Sequence, residues 1–432
     1  AYWYLQYAYC EALIETLGSC FGVNPASPYG MRLLPPAPGE PAQEPGWDPA
    51  FEALGQPQLV GLSPTWRLRA DEAVVYLGLT PPNGRYFAHA NYIMFNPAGL
   101  PAPHFTETDL PLNDDVLRRD HPSAAAFDQP LVVITTADQA MATMITDELV
   151  RAGIDPRIVF VQRIPTVEVE IPMGYDGTTF MHQDRLAYAS DAQAYLDHPP
   201  AIVFRVVPPA PSPTTPYAMW DQPQLATGHN EQHLSGALDA LAEAVRLAHL
   251  ADSRTVTLTK MARFPLETRT CIEKKVPCLG PIDAAYNFSV PRSMGASADD
   301  FTVVVGANHA AAGKAKYANV SLYNGETSTP IASASDQEMA GSVEPYLRYL
   351  SPVRALQVGR VADQLYAHKF ARRCPADDAF CSTIPQPSAG QLGLGAGQRY
   401  HFFERAYREP RTYHGPAAFE VLPPCQLIST AR

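Results

Sequence analysis

Apolar residues run without a break through Leu131-Val-Val-Ile-Thr-Thr136, the pattern of a strand covered on both faces. Beyond it the period changes. Met141, Met144, Ile145 and Leu149 recur at helical spacing up to Gly153, and Thr136 with Gln139 has the spacing of a capping box. Arg157-Ile-Val-Phe-Val161 returns to strand character, so residues 131–161 are expected to form a β-α-β crossover with parallel strands and a right-handed connection. Asp71–Gly78 and Arg85–Phe95 are rich in β-branched and aromatic residues, and Pro81-Pro-Asn-Gly84 between them predicts two neighbouring strands joined by a turn. Further strands are expected at Ala201–Val207, Thr255–Thr259, Phe301–Val305 and Lys316–Tyr323. Leu234, Leu238, Leu241, Val245 and Ala248 mark one face of a helix over 231–249, and Tyr2–Leu17 reads as a short aromatic-rich helix. The expected fold class is α/β, a mixed sheet with at least one right-handed β-α-β crossover.

Composition adds long proline-rich loops to this picture. Proline takes 43 of 432 positions, about twice its usual share. Because it lacks a backbone donor and fixes φ, segments such as Pro25–Pro49 must run as connections. Pro208–Pro216 has polyproline II character and marks a boundary. The chain therefore divides into an N-terminal aromatic helix and proline-rich arm (1–55), an α/β domain (56–207) and a second α/β region with disulfide-closed loops and a tail (217–432). The sequence shows no internal repeat.

Charge and cysteine usage narrow the setting. A net charge of -12 opposes binding to nucleic acid or an anionic membrane. No apolar run approaches the ~18 residues of a membrane span. The N-terminus lacks the basic start of a signal peptide, so any such leader has been removed. Of the seven cysteines, Cys10 with Cys20, Cys271 with Cys278 and Cys374 with Cys381 are spaced for local disulfides, whereas zinc sites want tighter pairs. That pattern predicts an extracellular or otherwise extracytoplasmic protein, with Cys425 left over. Asn287 and Asn319 head glycosylation sequons.

Candidate chemistry centres on Phe301–Lys314, a strand opening into a small-residue loop with Asn308, His309 and Lys314. The loop is not a phosphate-binding loop: six residues separate Gly306 from Gly313, and Ala315 stands where a Ser or Thr is required. His309 is expected as general acid or base, with Lys314 as electrostatic partner and Asp283 or Asp299 as acidic partner. The plainer alternative is a tight hairpin from 301–305 into 316–323. His229-Asn-Glu-Gln-His233 puts two histidines four apart, yet Glu231 is not at the metalloprotease position and no third ligand can be placed, so no metal and no cofactor are expected. Asp184 and Arg185 suit either a substrate carboxylate or a structural ion pair. Arg405, Tyr407 and Arg411, in a stretch dense in charge and aromatics, suit either recognition of an anion or hydrogen bonds that tie the C-terminal tail to the body, and Asn308 is a further candidate binding residue.

Two functions compete, with a carbohydrate- or metal-binding protein without catalysis as a weaker third. The first is a loosely hydrolase-like extracytoplasmic enzyme acting on a small molecule or glycan through His309. The second is a structural or self-assembling subunit of a filament or surface layer, associating through Tyr2, Trp3 and Tyr4.

Overall fold

The computed structural model describes the chain apart from residues 42–45, 98–102, 121–125, 190–191, 220–228, 251–254, 264–267, 279–281, 296, 298, 389–390, 411, 413–419 and 431–432. Helices and mixed sheets are both present, and strands predominate. The chain folds as two units, Ala1–Leu17 with Ala26–Pro223 and Leu266–Ile282, and Gly18–Pro25 with Gln224–Pro265 and Asp283–Arg432.

In the first unit the framework strands are β1 (Tyr2–Leu5), β2 (Tyr29–Arg32), β3 (Thr65–Trp66), β4 (Ala73–Leu79), β5 (Tyr86–Phe95), β6 (Pro130–Thr136), β7 (Val159–Arg163), β8 (Thr179–Ala187) and β9 (Ala201–Val206). One sheet runs β9-β4-β6-β7, and the other runs β1-β2-β8-β5 with β3 also paired to β8. Strands β6 and β7 pair in parallel, with helix α1 (Gln139–Arg151) between them in sequence. The alternation of β4 divides its side chains: Ala73 and Val75 pack with Met141 and Ile145 of α1, and Val74 joins Trp66, Ile93 and Phe180 between the sheets. Asp138, not Thr136, caps α1, accepting from the backbone nitrogens of Ala140 at 3.1 Å and Met141 at 3.2 Å. Thr136 is committed to the end of β6.

In the second unit the framework strands are β10 (Ala262–Arg263), β11 (Ala284–Phe288), β12 (Arg292–Ser293), β13 (Phe301–Ala307), β14 (Tyr317–Asn324), β15 (Leu365–Ala371), β16 (Cys381–Thr383), β17 (Arg399–Tyr407) and β18 (Cys425–Thr430). Its sheets run β18-β13-β15-β16, with Thr255–Lys260 added beside β18, and β10-β11-β17-β14, with β12 also on β17 and Thr329–Ser335 added beside β14. Among the framework strands these are the pairings of the first unit, strand for strand and in the same chain order. The register agrees as well. Gly78 of β4 lies opposite Leu131 of β6, and Gly306 of β13 opposite Tyr366 of β15. Tyr86 lies opposite Ala187, and Tyr317 opposite Tyr407. Both β6/β7 and β15/β16 are parallel. The chain is thus built on a repeated nine-strand frame that its sequence conceals.

The halves differ in what covers the frame. In the first unit α1 follows β6; in the second, helix α2 (Ser235–Leu250) precedes the frame, and Leu238, Leu241 and Val245 pack on Val303 and Val305. Where α1 would recur, the chain makes a short loop between β15 and β16 closed by the Cys374–Cys381 disulfide.

Several expectations are corrected. The N-terminal aromatic segment begins as strand β1, and only Cys10–Leu17 is helical. The 80–85 turn and the 308–316 loop are not hairpins. Each carries the chain from one sheet to the other, because β4 pairs β6 and β9 while β5 pairs β8, and likewise in the second unit. Tyr2, Trp3 and Tyr4 are buried within their own unit, Tyr4 at 1% exposure, so they offer no surface for self-association. Cys271–Cys278 and Cys374–Cys381 are disulfides, and Cys10 and Cys20 are also disulfide-bonded. Cys425 is reduced and buried in β18. Three disulfides fit an oxidising compartment. No helix among the described residues is long and apolar enough to cross a membrane.

Candidate functional site

Each half of the frame holds a carboxylate and an arginine at matching positions. On β8 these are Asp184 and Arg185; on β17 they are Glu404 and Arg405. Successive strand residues face opposite ways, so the two members of each pair do different jobs. Arg185 donates to the Tyr92 hydroxyl and lies 5.4 Å over its ring. Arg405 donates to the Tyr323 hydroxyl at 2.7 Å and lies 5.1 Å over that ring. This matched arginine–tyrosine pair fixes the correspondence independently of the strand order.

The carboxylates face the interior. In the first unit Asp184 Oδ1 is 2.6 Å from His89 Nδ1 and 2.7 Å from His182 Nε2, and Oδ2 accepts from the Tyr2 hydroxyl. His182 and Asp184 share a face of β8 because they are two apart, and Asp184 lies directly opposite His89 on β5. Gly30, next to Asp184 on β2, makes room for the tyrosines, since a Cβ there would collide with the Tyr2 hydroxyl. Arg32 is wholly buried, 5.0 Å over the Tyr76 ring, with Nη1 donating to Thr135 at 3.3 Å. Burial, helped by the Arg32 charge, pushes His182 down to about 3, leaving it a neutral imidazole. Burial alone would raise the Asp184 carboxyl, yet the two imidazoles hold it well below the usual range. His89 Nε2, His182 Nδ1, Arg32 Nε and Nη2, and Gln162 Oε1 are buried without a hydrogen-bond partner among the described residues. His89, His182 and Asp184 bring their ligand atoms within 4.8 Å of one another, a donor set able to hold a metal ion.

In the second unit the same strand position is closed. Glu404 accepts from Asn287 Nδ2 at 2.7 Å and from the Tyr366 hydroxyl at 2.6 Å. His309, fully buried, sets Nδ1 2.8 Å from Glu231 and Nε2 3.2 Å from Glu404. Burial opposes the charge on His309, but Glu231 and Glu404 outweigh it and hold the imidazole protonated well above its ordinary range. Lys314 is equally sealed, its ammonium donating to Glu409 at 2.7 Å, Glu420 at 2.6 Å and the His229 carbonyl, which uses all three of its protons.

The sequence-derived candidates are therefore only partly brought together. His309 and Lys314 lie on one loop but are held by different glutamates. Asp283 is buried just before β11, its backbone carbonyl accepting from Arg408 N at 2.7 Å. Asp299 pairs with Arg373 at 3.0 Å on the surface. Asn308 braces its loop, donating to the Asp336 carbonyl at 2.9 Å and accepting from Ala311 N at 3.2 Å. Arg405 is spent on tyrosines, and Tyr407 stacks on Tyr317 with centroids 5.1 Å apart. Arg411 lies outside the described residues. His229 and His233 are exposed, and Glu231 between them is the buried member. Asn287 and Asn319 are buried strand residues and so are closed to a glycan.

Sequence reasoning missed His89, His182 and Arg32. The His182-x-Asp184 spacing was readable as one strand face, but the partners on β5 and β2 required the long-range register.

No family model matches this chain, and no curated protein matches it. Among solved structures the chain is similar to the VPA0106 protein from Vibrio parahaemolyticus, at 11% identity and a TM-score of 0.41, covering 98% of this chain and 96% of that one. It is similar to the same degree to an uncharacterised protein from Burkholderia cenocepacia, at 11% identity and a TM-score of 0.41, covering 98% of this chain and 86% of that one. Overlap at that level transfers neither fold nor function.

Proposed function

We propose that the chain is an extracytoplasmic, loosely hydrolase-like enzyme acting on a small molecule or glycan, and that its chemistry belongs to the Asp184 cluster of the first unit, not to His309. The observation that carries this reading is the contrast between two copies of one strand position. Around Asp184, two imidazoles each keep a ring nitrogen without a partner. Around Glu404, both nitrogens of His309 face carboxylates, Nδ1 hydrogen-bonded to Glu231 and Nε2 in ion-pair contact with Glu404 at 3.2 Å without a well-formed hydrogen bond. A histidine held protonated between two carboxylates makes a poor proton acceptor, whereas the neutral His182 imidazole, with one ring nitrogen uncommitted, is an acceptor ready for use. The buried guanidinium of Arg32 supplies positive charge where a hydrolytic transition state develops negative charge. The second reading, a filament or surface-layer subunit, loses its main support with the burial of Tyr2, Trp3 and Tyr4.

The test is a panel of chromogenic esters, phosphoesters and glycosides offered to the full chain, to D184N and to H309Q. Any turnover found is expected to fall at least ~100-fold in D184N. It should stay within about threefold, per folded molecule, in H309Q. A folded D184N that keeps wild-type turnover overturns the assignment.

A further inference from the structure

We propose that His89, His182 and Asp184 form a binding site for a divalent transition-metal ion of the zinc type; the inference rests on the reading of this cluster as the functional centre. The second half of the frame acts as an internal control for what these positions need structurally. By register, His89 corresponds to Val320, His182 to Phe402 and Arg32 to Ser289. Val320 and Phe402 are packed into the apolar core between the two sheets. The frame is therefore satisfied by hydrocarbon at both histidine positions. Burying two imidazoles there costs desolvation that an apolar pair avoids, so they call for another reason.

The geometry supplies one. Two imidazole nitrogens and a carboxylate oxygen converge from adjacent antiparallel strands, all at 2% exposure or less. Two histidines and a carboxylate are the protein ligands of many catalytic zinc sites, which keep a fourth position for water or substrate. With bonds of about 2.0–2.2 Å, tetrahedral donors stand about 3.4 Å apart. The carboxylate-to-imidazole distances of 2.6 and 2.7 Å would have to open by less than an ångström. Tyr2, donating to the other carboxylate oxygen, leaves Oδ1 for the metal and orients the group, as outer hydrogen bonds do in metal sites. Charge decides the fourth ligand. Asp184 brings one negative charge and Arg32 one positive charge, so a divalent ion leaves the cluster cationic. The remaining position then suits an anion, either hydroxide or a substrate oxyanion.

The experiment uses the full disulfide-bonded chain, stripped with a chelator and reconstituted with zinc or cobalt. The wild type is expected to retain close to one equivalent after gel filtration, and the cobalt form to show the intense visible bands of a tetrahedral ion. Retention should fall ~10- to 100-fold in H182Q and D184N and be unchanged in H309Q. A wild-type chain that retains no metal, or H182Q and D184N chains that retain it as well as the wild type, would overturn the inference. Cobalt bands in the wild type read the coordination without relying on a variant that folds poorly. The two readings fail separately. Hydrolysis that survives chelation but is lost in D184N removes the metal and keeps the centre. Stoichiometric metal that can be stripped without changing hydrolysis keeps the metal and removes the centre.

Discussion

Asp184 and Glu404 occupy the same position in two copies of one strand frame, and each is bound by the ring of a histidine from elsewhere in its own unit, His89 and His309. The first is bound by two imidazoles that each keep a ring nitrogen facing no carboxylate, the second by Asn287, Tyr366 and a His309 ring whose two nitrogens both face carboxylates. The consequences for stability and pH response differ accordingly between the halves.

Glycines at matched positions make room for tyrosine rings. A Cβ on Gly306 would come within 2.6 Å of the Tyr366 hydroxyl, and one on Gly78 within 2.5 Å of the Tyr76 hydroxyl and 2.9 Å of the Ala201 Cβ. G306A and G78A are each expected to cost about 1–3 kcal/mol through overpacking, read as a lowered urea midpoint at unchanged slope. G359A, where nothing stands within 4 Å, serves as the neutral comparison.

Protonated His309 stabilises the folded second unit, and the sign of its pH effect follows. Burial works against the charge, but Glu231 and Glu404 raise the folded value well above 6.5. The contribution is complete below about pH 6.5 and is lost as the pH rises through the folded value, with a slope of at most about 1.4 kcal/mol per pH unit. Glu231 behaves oppositely. Burial would raise it, but His309 and the Leu422 backbone hold it below 4.5, so its share is lost as the pH falls below that value. Urea midpoints should therefore be highest between pH 4.5 and 6.5, and H309Q should flatten the decline on the alkaline side.

Lys314 is expected to be structural. Replacing it with Met leaves Glu409 and Glu420 buried without their cation, and breaking such a pair costs about 3–5 kcal/mol. Chemical denaturation of K314M checks this. A loss under 1 kcal/mol would mean that the glutamates find other partners.

Opening the Cys374–Cys381 loop should also destabilise the second unit. The bridge closes a loop with a sequence separation of 7, for which chain entropy gives about 2–3 kcal/mol. The C374A/C381A double variant measured against wild type tests that figure.

Local periodicity made the buried strands and both long helices legible, because a strand covered on two faces and an amphipathic helix announce themselves within a few residues. Partner choice was not legible. Pro81–Gly84 has the chemistry of a hairpin turn yet links two sheets, since turn residues specify a bend and not which strand lies alongside. Tyr2–Leu5 is buried on both faces and so shows no alternation to mark it as a strand. The repeat stayed hidden because an apolar frame exchanges Tyr76 for Val304 or Leu131 for Tyr366 without altering the pairing, and because α1 and α2 enter at different points of the chain. The His309 loop stood out for its composition, but Glu231 and Glu404, which determine its state, lie far away in sequence.

The most direct measurement compares D184N and E404Q in one preparation, recording urea stability and turnover per folded molecule on the best substrate of the hydrolytic panel. The account predicts that D184N stays folded and loses turnover, while E404Q loses stability and keeps turnover in the fraction that folds. Loss of turnover in folded E404Q with full activity in D184N would contradict it, and would return the chemistry to His309.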